Sequence, residues 1–253
     1  MDLLETALIL VAGTAAGTIN AAVGSGSLIT FPTLLAFGIP PVMANVSNNI
    51  GLVPGGIASV WGYRRELADQ RRRLLVLGSM SVLGGIVGAV LLLVLPASAF
   101  RAVVPVLIGM AVVLVAVQPW MARRLARRQA ERADIGPAAM LTAATVGVYG
   151  GYFGGAQGIL LVGALGTLMT ETLQRLNALK NGLTTAVNTV AAVTFLVVAP
   201  SQVDWRVVAL IAAGSTVGGL IGSRIGRKLP QPVLRAIIVV VGLLAIVNLL
   251  RPA

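Results

Sequence analysis

Apolar runs long enough to cross a bilayer recur along the whole of this 253-residue chain, and only short loops separate them. About 20 such residues in helical form span the hydrocarbon core. The composition is 57% hydrophobic and 11% charged, a balance that no water-soluble core requires. The longest charged loop holds about a dozen residues, too few for a separate soluble domain. The reading is therefore an all-α polytopic membrane protein. The start, MDLLETALIL, carries acids where a secretory signal would carry Lys or Arg, and it reads as the first membrane segment.

The net charge of +11 would suit a nucleic-acid binder, but its placement does not. Arg64, Arg65, Arg71, Arg72 and Arg73 share one interhelical loop. Arg123, Arg124, Arg127, Arg128 and Arg132 share a second, and Arg224, Arg227, Lys228 and Arg235 flank a third. Basic residues in short loops between apolar runs follow the positive-inside rule and attract anionic lipid. The expected partners are membrane lipid and a small solute, with no nucleic acid, and the chain leaves room for a homodimer. There is no cysteine and no histidine. Disulfides, thiolate metal sites and the commonest catalytic base are thereby removed. No Gly-x-x-x-x-Gly-Lys-Ser/Thr loop is present, so nothing points to ATP. No cofactor and no metal is expected. Trp61, Trp120 and Trp205 sit at span ends, where interfacial belts place them.

Taken in order, a segment at 3–23 breaks at Gly24-Ser25-Gly26-Ser27, and a short piece follows at 28–37. Gly38-Ile39-Pro40-Pro41 reads as a turn. A helix at 46–63 contains Pro54, which removes a backbone bond and kinks it. Plain spans follow at 74–95 and 101–121. Beyond an Arg-rich linker the order repeats. A segment from 138 breaks at Gly154-Gly155-Ala156-Gln157-Gly158, with a short piece at 159–169 and a charged turn holding Glu171, Arg175 and Lys180. A helix at 181–198 and spans at 207–225 and 234–250 complete the chain. This divides it into a first membrane repeat (1–120), a cytoplasmic linker (121–137) and a second membrane repeat (138–253), with about eight membrane segments in all.

The repetition has a register. At a spacing of 132, Gly26 meets Gly158, Asn45 meets Asn177 and Asn49 meets Asn181. At 134, Gly84, Gly85 and Gly88 meet Gly218, Gly219 and Gly222, Pro96 meets Pro230 and Arg101 meets Arg235. Charge then orients the halves. The loop 62–73 sets five Arg against Glu66 and Asp69, whereas its counterpart 199–206 is neutral. The loop near 96–101 has only Arg101, whereas 222–235 carries four basic residues. The heavy side swaps, which makes the two halves inverted-topology repeats, the pattern of many secondary transporters. It places 16 of the 19 Lys and Arg on the cytoplasmic side and both termini outside. Charge alone leaves open whether each broken pair is a re-entrant hairpin or two full spans. An eleven-residue piece reaching about 16 Å favours the hairpin.

The Gly24-Ser25-Gly26-Ser27 break, Asn45-Val46-Ser47-Asn48-Asn49, and the second-half Gly154-Gly155-Ala156-Gln157-Gly158 with Leu176-Asn177-Ala178-Leu179-Lys180-Asn181-Gly182 resemble the TauE/SafE family, the sulfite exporter or toluene-sulfonate uptake permeases. The resemblance covers nearly the whole chain. It implies a bacterial inner-membrane transporter for sulfite or an organosulfonate.

A small oxyanion needs hydrogen-bond donors and positive potential. The first N–H groups of a helix lack internal partners and lie at its positive end, so anions bind there. The candidate binding residues are Ser25, Gly26, Ser27, Gln157 and Gly158 at the breaks, with Asn48, Asn49, Lys180, Asn181 and Asn188 on the following helices. The alternative for the glycines is that they only turn the chain and pack helices. Asn45 and Asn177 read as N-caps. Lys180, which replaces Asn48 in the second half, reads either as an anion partner or as a loop lysine snorkelling to the surface. No Asp or Glu lies deep in a span, so no carboxylate relay is visible. A passive anion channel of the same fold is the alternative to a carrier. Without His, Cys or buried acids an intramembrane enzyme has no base. A purely structural subunit would leave the Asn residues without a task.

Overall fold

A computed structural model describes residues 2–126 and 135–225, together with scattered helical positions between 236 and 247. The linker arginines beyond 126, and the expected matches Pro96 to Pro230 and Arg101 to Arg235, fall wholly or partly outside the described residues. The helices are α1 (Leu3–Ala22), α2 (Ser27–Ala36), α3 (Pro41–Gly62), α4 (Arg64–Leu67), α5 (Arg71–Val94) and α6 (Ala97–Ala126). They continue with α7 (Pro137–Tyr152), α8 (Gln157–Leu168), α9 (Leu173–Val198), a 3₁₀ turn (Pro200–Gln202) and α10 (Trp205–Ile225). Among the described residues there is no strand. Among the described residues five helices, α1, α5, α6, α9 and α10, are long and apolar enough to cross a membrane, and the expected span at 234–250 lies largely outside them. The protein is a multi-pass membrane protein.

Local chemistry sets the boundaries. Asp2 and Glu5 form a reciprocal capping box at the start of α1. α3 and α7 each open on a proline, Pro41 and Pro137, whose fixed φ suits a first helical position. α3 therefore starts five residues ahead of the expected 46, because Pro41 begins it rather than preceding it. α9 starts eight residues ahead of the expected 181. The hydroxyl of Thr172 accepts the Arg175 N–H, so the stretch read as a charged turn is the first two turns of a helix. Asn45 and Asn177 accordingly lie inside α3 and α9 and do not cap them.

The two breaks are built alike. The Ile19 carbonyl accepts both Val23 N–H and Gly24 N–H, at 2.7 and 2.9 Å, and the Tyr149 carbonyl accepts Phe153 N–H and Gly154 N–H at 2.9 and 3.1 Å. Gly24 and Gly154 then take left-handed φ of +91° and +77°, which residues with a Cβ rarely adopt. The equivalence at the break is thus Gly24 with Gly154 and Ser27 with Gln157, a spacing of 130. The expected pairing of Gly26 with Gly158 is two residues out. α2 has ten residues and α8 twelve, and that difference restores the spacing of 132 by α3 and α9.

Helix directions follow from where glycines meet their neighbours. On α10, Ile211 faces Gly13 and Gly51, Ser215 faces Gly17 and Gly55, and Ser223 faces Gly62. Residue numbers rise together, so α1, α3 and α10 run the same way. On α5, Gly84 lies on the Ala144 carbonyl and Gly88 on that of Val148, while Leu74 meets Gly182 and Gly85 meets Val187. Hence α5, α7 and α9 also run together. Between the trios the order reverses, with Asn49 beside Asn188 and Gly56 beside Thr185. Because α1 and α3 start at the same end, α2 must carry the chain back. It does so along α1, with Ile9, Ala16, Phe31 and Leu34 in one cluster. α8 does the same for α7 and α9. At ten and twelve residues, α2 and α8 reach about 15 and 18 Å, short of a 30 Å hydrocarbon core. In each broken pair the short helix thus runs back against the long one.

The expected glycine register holds where it is described. A Cβ on Gly84 would lie 2.0 Å from the Ala144 carbonyl oxygen, and one on Gly218 would lie 2.1 Å from that of Thr14. Gly88 and Gly222 repeat this on the carbonyls of Val148 and Thr18. Small residues let the backbones come this close.

Candidate functional site

The breaks meet in the middle of the bundle. Gly158 N–H donates to the Gly24 carbonyl at 3.1 Å, and the two Cα atoms are in contact. Beside them lies a partly enclosed cavity of about 30 Å³, room for roughly two waters. Ser27, the first residue of α2, and Gln157, the first of α8, both line it. Asn20 from the last turn of α1, Asn181, Thr184 and Asn188 from α9, and Leu52, Gly56 and Ser59 from α3 complete most of the wall.

Of the ten residues expected to bind substrate, five line this cavity: Ser27, Gln157, Gly158, Asn181 and Asn188. Asn49 stands next to it, its amide donating to Asn188 Oδ1 at 3.4 Å. Ser25, Gly26, Asn48 and Lys180 do not line it. Asn48 turns towards α2, where its Oδ1 accepts the Thr30 hydroxyl. Gly26 gives its N–H to Asn20 Oδ1 at 2.7 Å. The helix starts are therefore less bare than expected, since Gly26 N–H and Gly158 N–H both have protein acceptors. Asn20 was not among the ten. Its signal is an amide four residues before a Gly-Ser-Gly-Ser run, within reach of the helix start across the break.

Lys180 does not snorkel. It is 1% exposed, and its Nζ donates to the carbonyls of Asn20 at 2.8 Å and Ala21 at 3.4 Å. Asn181 Nδ2 donates to the Ala21 carbonyl at 3.2 Å. The last carbonyls of a helix have no internal donors and form its negative end. Here α9 supplies donors to the end of α1. In the other half Asn45 Nδ2 donates to the Tyr152 carbonyl at 3.0 Å, at the end of α7. Each broken helix thus has its negative end tied by a side chain from the opposite half.

Three buried polar atoms at or near the breaks have no partner within the protein: the Ser25 hydroxyl, the donor Gln157 Nε2 and the acceptor Asn49 Oδ1. An unmade bond there costs about 1–3 kcal/mol, so such atoms call for water or a bound guest. At one mouth of the bundle, Glu171 pairs with Arg73 and Arg175, and Arg175 reaches Asp69 at 3.8 Å. Burial pushes the Glu171 carboxyl up, but hydrogen bonds and charge from both arginines outweigh it and hold its pKa below the ordinary value. Among the described residues no cluster of metal-ligating side chains occurs.

The family profile described as Sulfite exporter TauE/SafE matches residues 9–249. The chain belongs to the TauE/SafE family. A relative from Escherichia coli (strain K12), named probable membrane transporter protein YfcA, is 28% identical over 231 residues, covering 89% of this chain and 82% of that protein. A probable membrane transporter protein of Haemophilus influenzae is 25% identical, covering 95% and 91%. The probable membrane transporter protein ORF9 of a Sinorhizobium species is 26% identical, covering 96% and 92%. Family and relatives together support a membrane transporter. In this TauE/SafE chain the glycine breaks, the polar cavity and Asn20, Asn49, Asn181 and Asn188 come together between the two helix trios.

Proposed function

We propose that the protein is a secondary transporter that carries a small anion, sulfite or an organosulfonate, across the inner membrane. The carrying observation is the cavity where α2 and α8 both begin. Two helix N-termini, each the positive end of its dipole, converge on Ser27 and Gln157, and the buried Gln157 Nε2 there has no protein acceptor. The negative ends of α1 and α7 nearby are already occupied by Lys180, Asn181 and Asn45. The field left over at the cavity is positive, and its donors are amides and hydroxyls that replace part of an anion's water.

The two trios, parallel within and opposed between, are read as inverted-topology repeats with the site at their interface. Positive loops put the α4–α5 corner on the cytoplasmic side. A cavity of about 30 Å³ has room for roughly two waters, so seating an anion there requires the surrounding helices to give way. Alternating access would be that movement, first to one face and then to the other. Counterflow in proteoliposomes with sulfite, sulfoacetate, taurine and sulfate tests the reading. A carrier exchanges labelled for unlabelled anion with saturation. A passive channel of the same fold conducts without counterflow, and flux of none of these anions would refute the assignment.

A further inference from the structure

Among the described residues Lys180 is the one charged side chain that is buried, and anion binding alone does not explain its position. Its Cδ packs where Cβ atoms on Gly24 and Gly158 would stand, 3.1 and 2.6 Å away. The side chain therefore lies across the point where the two breaks touch, and its amine ends on the carbonyls of Asn20 and Ala21. Asn20, Gly24, Gly158 and Asn181 all line the cavity and all adjoin Lys180. A neutral amine has two N–H groups, which match those two acceptors. An ammonium has three, and the third is left for something else.

Among the described residues, the surroundings supply no counter-charge. α2, α3 and α8 contain no acidic or basic side chain within their bounds. α1 brings only Glu5, at its far end, and α10 only Arg206 and Arg224, at its two ends. From α7, Tyr149 gives its hydroxyl to the Gly155 carbonyl. Tyr63, between α3 and α4, packs with Leu67 and Ala178. On the α4–α5 corner, Asp69 and Arg73 are engaged with Arg175 and Glu171, and Glu66 lies on α4. An anion in the cavity is thus the counter-charge nearest to hand.

We propose that Lys180 is the proton-carrying group of the transport cycle. Its ε-amine takes up one proton from water on the open side when an anion enters the cavity and returns it when the anion leaves. The N–H bond formed on entry is the bond broken on exit, so no other reactant is needed. Opposite charges in a medium of low dielectric attract strongly. Each therefore favours binding of the other by the same factor, which makes anion and proton travel together. This rests on the transporter reading, and it gives the buried amine the task that a carboxylate relay performs elsewhere.

The test uses full-length protein in liposomes loaded with a pH-sensitive dye. The anion is sulfoacetate where it passes the counterflow assay, otherwise sulfate or sulfite with its own titration subtracted. Anion entry into wild-type liposomes should acidify the lumen, and with the membrane potential clamped at zero an imposed pH gradient should concentrate the anion about tenfold per pH unit. In Lys180→Arg, which keeps the charge but not the exchangeable proton, proton movement per anion should fall to zero whatever rate remains. Proton uptake on adding the anion to detergent-solubilised protein gives the same comparison without flux. Wild-type counterflow with no proton movement would overturn the proposal and leave the transporter reading standing. An unchanged proton-to-anion ratio in Lys180→Gln or Lys180→Arg would overturn it as well. So would loss of anion binding in a well-folded Lys180→Arg, because the side chain would then be needed for its geometry and not for the charge that its proton carries. Absence of counterflow with every anion is a different result, and it removes the transporter reading itself.

Discussion

Gly24 and Gly158, 134 residues apart in the chain, are in direct contact: the N–H of one donates to the carbonyl of the other at 3.1 Å. A Cβ on Gly24 would lie 2.5 Å from Gly158 Cα, and a Cβ on Gly158 would lie 2.6 Å from Gly24 Cα. No real pair of carbons sits so close without the backbone shifting. The contact holds the starts of α2 and α8 at one cavity, so it is where packing and function are joined.

Gly24→Ala should therefore damage the protein twice. Its φ of +91° costs a residue with a Cβ about 1–2 kcal/mol, and the overlap with Gly158 adds about 1–3 kcal/mol. Gly158→Ala carries only the second penalty. We expect Gly24→Ala to melt well below wild type in detergent and Gly158→Ala to fall between them. Both should lose anion exchange by more than tenfold. Equal melting temperatures for Gly24→Ala and wild type would show that the two breaks do not meet as described.

The paired glycines of the two trios predict symmetrical damage. Gly84 rests on the Ala144 carbonyl and Gly218 on that of Thr14, at nearly the same would-be distance. Gly84→Val and Gly218→Val should each reduce folded yield sharply and to a similar degree, read by fluorescence size-exclusion chromatography. Gly78→Ala is the control, since the nearest atom to its Cβ would be Leu183 Cδ2 at 3.9 Å. It should hold or gain stability, because alanine is favoured over glycine in a helix by about 1 kcal/mol.

Much of this was legible beforehand, and what was not has identifiable causes. The Gly-Gly-x-x-Gly stripes on α5 and α10 announced close helix contacts because only small residues permit them. The Gly-Ser-Gly-Ser break announced itself as polar, permissive backbone inside apolar helix. The start of α9 is hidden in the sequence because Glu171, Arg175 and Lys180 have the pattern of a solvated turn. In the fold Glu171 is paired with Arg73, and Lys180 is turned inwards onto backbone carbonyls. Asn45 looked like a cap for its own helix but serves the end of α7, 107 residues away. Sequence spacing shows which helix ends need partners, but only tertiary packing decides which side chain supplies them.

That exchange of caps gives a further prediction. Asn45→Leu would leave the Tyr152 carbonyl without its donor, and Asn181→Leu would do the same to one donor of Ala21. A buried group left unpaired costs about 1–3 kcal/mol. Asn45→Leu should lower the melting temperature. Asn181→Leu, which also lines the cavity, should lower it and weaken anion binding in addition. Binding lost equally in both would show that Asn181 acts only through the fold.

The Glu171 cluster adds a dependence on pH whose sign can be worked out. The Glu171 pKa lies below its ordinary value of 4.5, so the folded state favours the carboxylate more than the unfolded state does. Its contribution is complete above 4.5 and is lost as pH falls through the lower folded value. Wild-type protein should keep its melting temperature down to about that ordinary value and then lose it progressively in acid. Glu171→Gln should start lower at neutral pH, by about 1.5–3 kcal/mol for hydrogen bonds to a charged group, and should fall less steeply in acid. Because Arg73 belongs to α5 and Arg175 to α9, the pair ties the two parallel helices at one mouth of the bundle. Arg73→Gln should therefore reproduce the shallower acid profile of Glu171→Gln, and the double variant should add little to either alone. Full additivity in that cycle would mean that the two side chains do not act as a pair.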